Sequence, residues 1–215
     1  MTIPPYSLVF AIDDDASVRK GLARLLRSAG YKSEIFESAS GFLARLPHSG
    51  PSCVIVDVQM PGINGMDLQE TLIQHRREEQ LVFITGHGDI PMCAQAMKAG
   101  AVDFLPKPFR DDELLRCIDN ALIRSAEDRQ RSAEKNEARR LLDLLTAREF
   151  EVMQLVITGM LNKQIAGELG RSEKTVKVHR GRVMQKLGVT SVPELVGLVQ
   201  RACVAPSART KTKVS

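Results

Sequence analysis

Two hydrophobic periods alternate along the first 120 or so residues. Short apolar, β-branched runs at Leu8–Ile12, Cys53–Val56, Leu81–Ile84 and Ala101–Leu105, with a weaker one at Ser33–Phe36, predict strands. Between them apolar residues recur at helical spacing. Across Ser17–Ala29, Val18, Leu22, Leu25, Leu26 and Ala29 share one face, and Met66–Gln74 and Pro91–Lys98 behave alike. Repeated strand–helix alternation predicts an α/β fold, a five-stranded parallel doubly wound sheet with helices on both faces.

The pattern then changes. From Arg110 to Leu145 there is no Gly or Pro, and Asp111, Asp112 and Glu113 stand where a helix N-terminus favours acids. Leu114, Leu115, Ile118 and Leu122 make an apolar face that fades into a stretch polar on all sides, 125–141. Such a stretch is either a linker helix between two domains or a flexible charged linker; helix propensity favours the helix. Thr146-Ala-Arg-Glu149 then reads as a capping box, with Leu145 and Phe150 spaced as its hydrophobic staple. The helix it opens turns Val152, Met153, Val156 and Ile157 inward and ends at Gly159. Further helices are predicted at Asn162–Leu169, from Ser172 after a Gly170 turn, and at Pro193–Ala202. The expected organisation is an α/β domain over 7–124, a charged helical linker over 125–141, an all-α four-helix domain over 142–206 and a basic disordered tail over 207–215.

Composition narrows the class. Of 215 residues, 43% are hydrophobic and 26% charged, ordinary for a globular chain. No apolar run approaches the roughly 20 residues of a membrane span. The N-terminus has no basic residue before its apolar run, so no secretory signal is expected. Cys53, Cys93, Cys117 and Cys203 form no C-x-x-C and read as reduced packing residues; a cytoplasmic protein is expected. The overall charge of +4 hides a partition. Residues 1–124 carry 13 basic and 16 acidic side chains, residues 125–140 five and four, and residues 141–215 twelve and six. An acidic first half is suited to a cation, a basic second half to nucleic acid.

Candidate chemistry lies at the strand ends, where open α/β sheets bind ligands. The first strand ends in Asp13-Asp14-Asp15, the third in Asp57 and the fourth in Thr85, while Lys107 follows the fifth. Converging carboxylates cannot all ionise cheaply in one crevice, so they call for a divalent cation, and an all-oxygen set suits Mg²⁺. A lysine and a hydroxyl at the same rim suit a phosphoryl group. The competing reading, that the acids only cap turns and helices, is preferred for Asp15.

These residues resemble a known signature. Asp13-Asp14, Asp57 in DVQMPGINGMDL, Thr85-Gly86-His87 and Phe104-Leu-Pro-Lys107-Pro108-Phe109 are similar, in order and placement, to response-regulator receiver domains of flavodoxin-like fold over 7–124. The resemblance implies that Asp57 accepts a phosphoryl group from a sensor histidine kinase. Asp14, Asp57 and the Gln59 carbonyl would bind Mg²⁺, with Asp13 acting through water. Lys107 and the Thr85 hydroxyl would contact the phosphoryl oxygens, Phe104 would rotate inward as the switch, and Lys107–Pro108 would be cis. Gln59 and His87, at the mouth, would tune hydrolysis of the acyl phosphate; for His87 plain solvation is the equal alternative.

In the second domain, a helical wheel with Val176 inward puts Val183 and Leu187 on the same side. Lys174, Val178, Gly181 and Gln185 fall opposite, flanked by Thr175, Lys177 and Arg182. Lysine can read guanine, glutamine adenine, and valine a thymine methyl, so this face suits a major groove; flanking cations suit phosphates. A merely solvated basic face is the alternative. LTAREFEVMQLV and NKQIAGELGRSEKTVKVHRGRVMQKLGV resemble the LuxR-type helix-turn-helix over 142–206, and the two domains together resemble the NarL/FixJ class, notably regulators of aromatic-catabolic operons. By that resemblance Lys177 and Val178 face bases, Gly181 replaces a basic residue of some members, and His179 and Arg180 have structural or phosphate-pairing roles. It implies a transcription regulator, expected to activate. Its partners would be a sensor kinase, double-stranded promoter DNA, a second copy after phosphorylation, and RNA polymerase, with no membrane. Two rival readings stand against this one. A phosphatase would want an acid two residues after Asp57, where Gln59 stands, and a protein-interaction module would bind no DNA.

Overall fold

In a computed structural model, residues 4–86 and 90–203 are described. His87 and the tail at 207–215 lie outside the described residues. The chain divides into two compact units, 1–130 and 131–215.

The first unit runs β1 (Leu8–Ile12), α1 (Ala16–Ser28), β2 (Ser33–Phe36), α2 (Ala39–Leu43), β3 (Ser52–Asp57), α3 (Gly65–Gln74), β4 (Gln80–Thr85), α4 (Ile90–Lys98), β5 (Asp103–Pro106) and the start of α5 (Asp111–Leu142). All strand pairings are parallel, in the order β2-β1-β3-β4-β5. Helices cover both faces, which is why β3 is buried along its whole length and reads as a continuous apolar run. Alternate residues feed two cores. Val9, Ala11, Cys53, Ile55, Val82 and Ile84 pack with Leu22 and Leu26 of α1 and Leu114, Ile118 and Leu122 of α5. Phe10, Ile12, Val54, Val56 and Phe83 pack with Phe42 of α2, Leu68 and Leu72 of α3, and Ala96 of α4. Burial pushes the thiols of Cys53 and Cys117 up, the latter to about 12 with help from its hydrogen bond to Asp103. Both are packing residues.

Three features depart from the periodicity. The short α2 has too few residues for a periodic signal and is held by the Ser38 cap and buried Phe42. The fifth strand starts two residues later than its apolar run, because Ala101 closes α4 onto the Ala96 carbonyl and Val102 bonds Leu81. The charged stretch is helical, since α5 continues to Leu142. Side chains past residue 124 still serve the first unit: Ser125 Oγ accepts from the Ser52 amide at 3.0 Å, and Arg129 donates to the His48 and Ser49 carbonyls at 2.6 and 3.1 Å.

The second unit contains the end of α5, α6 (Ala147–Ile157), α7 (Asn162–Glu168), α8 (Glu173–Leu187) and α9 (Val192–Arg201). Its core joins Ala138 and Leu142 of α5 to Val152, Met153, Val156, Ile165, Val176, Val183, Leu187, Leu195, Leu198 and Val199. The capping box is present: Glu149 accepts from the Thr146 amide and Thr146 from the Glu149 amide. The same Glu149 carboxylate, buried, also accepts from Lys186 Nζ on α8 at 2.7 Å, joining α6 to the far end of α8. No described helix is long and apolar enough to cross a membrane.

The Lys186 ammonium and the Thr146 amide hold the Glu149 carboxyl at about 2, below its usual 4.5. A carboxyl lowered in the folded state adds its full stability above the unfolded value and loses it as pH falls through the folded one. The second unit should therefore melt at progressively lower temperature between about pH 5 and pH 2. Glu149→Gln should cost about 1–2 kcal/mol at neutral pH and flatten that slope, measured by thermal denaturation across the range.

Candidate functional site

The strand order places β1 beside β3, and the pairing Ile12↔Val56 brings the next residues, Asp13 and Asp57, side by side at the carboxyl ends. One oxygen from each of Asp13, Asp14 and Asp57 lies within 4.8 Å of the others. Asp13 is fully buried, Asp57 nearly so, and Asp14 is exposed. Asp13 Oδ1 accepts from the Asp15 amide at 2.9 Å and Asp57 Oδ1 from the Gln59 amide at 3.0 Å. Both Oδ2 atoms accept from Lys107 Nζ, at 2.7 and 2.6 Å.

Burial pushes the Asp13 carboxyl up, and the adjacent Asp57 charge adds to this; Lys107 and the Asp15 amide oppose it without cancelling it. For Lys107, burial opposes the charge, but hydrogen bonds to Asp13 and Asp57 outweigh it and hold the ammonium above its usual value. Three carboxylates and one ammonium leave an excess of negative charge. The donor set is all oxygen, and the exposed side of Asp14 leaves room for the waters that Mg²⁺ retains, so these residues fit that ion.

The other singled-out residues lie around this cluster. Thr85 ends β4, is fully buried, and its carbonyl accepts from the Lys107 amide at 2.6 Å. Phe104, on β5, is half-buried with its ring centroid 6.0 Å from that of Phe83. Gln59 is exposed next to Asp57, and Lys107–Pro108 is cis. Asp15 caps α1 through the Ser17 amide and hydroxyl at 2.6 and 2.7 Å.

Two contributors were not singled out from the sequence. A Cβ on Gly65 would lie 2.6 Å from the Asp57 carbonyl, so glycine is required for α3 to begin against the Asp57 strand end. A glycine just after the Asn64 cap was the available signal. Arg19 Nη1 donates to the carbonyls of Asp13 and Asp14, each at 2.8 Å. In the sequence Arg19 is one of several basic residues on α1, with nothing to set it apart.

In the second unit Gly170, at φ +61°, turns the chain from α7 to α8, whose Ser172 cap accepts from the Thr175 amide at 3.2 Å. Val176, Val183 and Leu187 are buried, while Lys174, Lys177, Val178, Gly181, Arg182 and Gln185 are exposed and Thr175 is half-buried. Val178 keeps 48% of its surface in solvent, unusual for a valine on a helix with its own apolar side. Arg180 is half-buried and donates to Asn162 Oδ1 of α7 at 3.1 Å; His179 is also half-buried.

Residues 9–119 match the family model of the response regulator receiver domain, and residues 143–199 that of the luxR family of bacterial regulatory proteins. Nodulation protein W of Bradyrhizobium diazoefficiens is 41% identical over 208 residues, 97% of this chain and 92% of that protein. Response regulator protein TodT of Pseudomonas putida is 44% identical over 195 residues, 91% of this chain and 86% of that one. Among solved structures, the low-resolution structure of response regulator StyR is 51% identical, with a TM-score of 0.79, covering 91% of this chain and 99% of that one.

A carboxyl raised by burial favours the folded state at low pH, and that advantage is lost as pH rises from the unfolded value, near 3.8, through the folded one. The Asp13 carboxyl therefore contributes less to stability at neutral pH than at low pH. In metal-free buffer Asp13→Asn should melt no lower than the unsubstituted protein. With millimolar Mg²⁺ the unsubstituted protein should gain more than the variant, as read by differential scanning calorimetry.

Proposed function

This chain belongs to the two-component response regulators of the NarL/FixJ class, transcription regulators rather than catalytic enzymes, and from that premise we propose that Asp57 is its phosphoacceptor. The supporting observation is Lys107 Nζ, bonded at once to Asp57 and Asp13 within a cluster of three carboxylates. A carboxylate oxygen of Asp57 attacks the phosphorus of a kinase phosphohistidine; a P–O bond forms, the P–N bond breaks, and the imidazole leaves with the electron pair and takes a proton. An aspartate is a weak nucleophile, but phosphoryl transfer proceeds mainly by positioning and charge neutralisation. Lys107 supplies one cation already in place, and moves its hydrogen bonds from the carboxylates to the incoming phosphoryl oxygens. Asp14, Asp57 and the Gln59 carbonyl would hold Mg²⁺, with Asp13 acting through water. The bound ion supplies charge neutralisation at the phosphoryl oxygens.

The new group brings about −1.5 to −2 charges. The Thr85 hydroxyl turns toward it, and Phe104 follows into the space vacated. The face over Pro91–Leu105 is remodelled so that two copies of the domain at 7–124 pair, with 125–141 linking them to the domains at 142–206. Paired α8 helices then present Lys174, Thr175, Lys177, Val178, Arg182 and Gln185 to promoter DNA, at half-sites about one helical turn apart. Lys177 and Val178 read bases, α9 supports the DNA-bound pair, and RNA polymerase is recruited to activate transcription.

Asp57→Asn should take no label from a phosphorylated kinase or from acetyl phosphate with Mg²⁺; full labelling would overturn the acceptor assignment. In gel shifts the DNA affinity should fall steeply as salt rises from 50 to 200 mM, because bound phosphates release counterions. A salt-independent interaction would favour a protein-binding role. Lys177→Ala and Val178→Ala should lose on the order of 1–3 kcal/mol of discrimination between operator and random DNA while keeping non-specific binding.

A further inference from the structure

The turn from β1 to α1 holds three consecutive acids, and its backbone carbonyls crowd the same corner. Lys107 addresses the carboxylates of this corner. Arg19 addresses its backbone. Its side chain folds back from the first turns of α1, and Nη1, which carries two N–H bonds, gives one to the Asp13 carbonyl and one to the Asp14 carbonyl. The Arg19 amide meanwhile donates to the Asp15 carbonyl at 3.0 Å as part of the helix. One residue therefore engages three successive carbonyls of the turn.

The direction of a carbonyl and the direction of the neighbouring Cα–Cβ bonds are set by the same backbone dihedrals. Fixing the carbonyls of Asp13 and Asp14 consequently fixes their Cα–Cβ directions and narrows the positions their carboxylates can reach. Asp13 has further restraints, from the Asp15 amide and Lys107. Asp14 is exposed, so the hold on its carbonyl matters more. We propose that Arg19 is a positioning residue for the cation, keeping the Asp13 and Asp14 carboxylates turned toward Asp57 before the ion arrives. The inference rests on the Mg²⁺-dependent acceptor reading and adds to it a residue that touches neither ion nor phosphoryl group. Groups that orient metal ligands in this way typically change affinity about 10–100-fold when removed.

The test is calorimetric titration of the full-length protein with Mg²⁺ alone, beside melting in EDTA. Arg19→Ala should weaken Mg²⁺ binding about tenfold with an unchanged melting temperature in EDTA. Acetyl phosphate labelling of the variant should need correspondingly more Mg²⁺ and recover at saturation. A merely structural residue would shift the melting temperature and leave the Mg²⁺ constant alone, and an unchanged constant overturns the proposal. If Arg19→Ala melts early, Arg19→Lys decides. Lysine can reach one carbonyl but lacks the planar fork, so a weakened constant at normal melting temperature sustains the proposal and a normal constant overturns it. Asp57→Asn labelled in parallel keeps the two readings apart: persistent label in that variant removes the acceptor assignment, while the Mg²⁺ constant of Arg19→Ala judges Arg19 separately.

Discussion

Crowding of negative charge at the junction of β1 and β3 is the constraint around which the first unit is organised. Parallel pairing puts Asp13 and Asp57 next to each other with no freedom to separate, and Asp14 follows from the same strand. Like charges at this spacing in a partly buried crevice are costly unless a cation is present. Lys107 is therefore delivered from the end of β5, two strands from Asp57, and its ammonium bridges the pair. Gly65 allows α3 to start directly against Asp57, and Arg19 ties the acidic turn to α1. What remains is an excess of negative charge open on the Asp14 side. Such an excess of negative charge is relieved by a cation.

The second unit solves the opposite problem. It exposes cations on α8 while securing that helix. Val176, Val183 and Leu187 bury one side, Arg180 reaches Asn162 on α7, and Lys186 reaches Glu149 on α6. The basic residues used for packing are thus different from those left exposed at Lys174, Lys177 and Arg182. Glu149 serves the α6 cap and the α8 tether with one carboxylate, so helix initiation and helix packing depend on a single ionised group. These two sites contribute to the split between an acidic first part and a basic second part, which the mild overall +4 conceals.

Periodicity was a good guide wherever an element was long enough to show it. β1 and β2 match their apolar runs residue for residue, and the capping box at Thr146 and Glu149 forms from a four-residue pattern. Short α2 escaped because five residues complete little more than one helical turn. The fifth apolar run overstated its strand at the start, because Ala101 and Val102 satisfy their amides elsewhere. Only helix propensity points to a helix over 125–141, since an all-polar helix carries no hydrophobic stripe, and in the structure α5 continues through it.

Local chemistry, encoded over a few residues, was therefore readable from the chain alone: strands and helices, caps, the acidic strand ends, the exposed row on α8, and the family resemblance they carry. Pairing across the chain was not. That Lys107 bridges Asp13 and Asp57, that Lys186 meets Glu149 and that Arg19 turns back onto two carbonyls are contacts set by sheet order and helix packing. An arginine on an amphipathic helix or a lysine near its end looks the same in a linear sequence whether it faces water or a buried acid. Distance between residues far apart in the chain exists only once the fold has formed, and it is that distance which determines which charges interact.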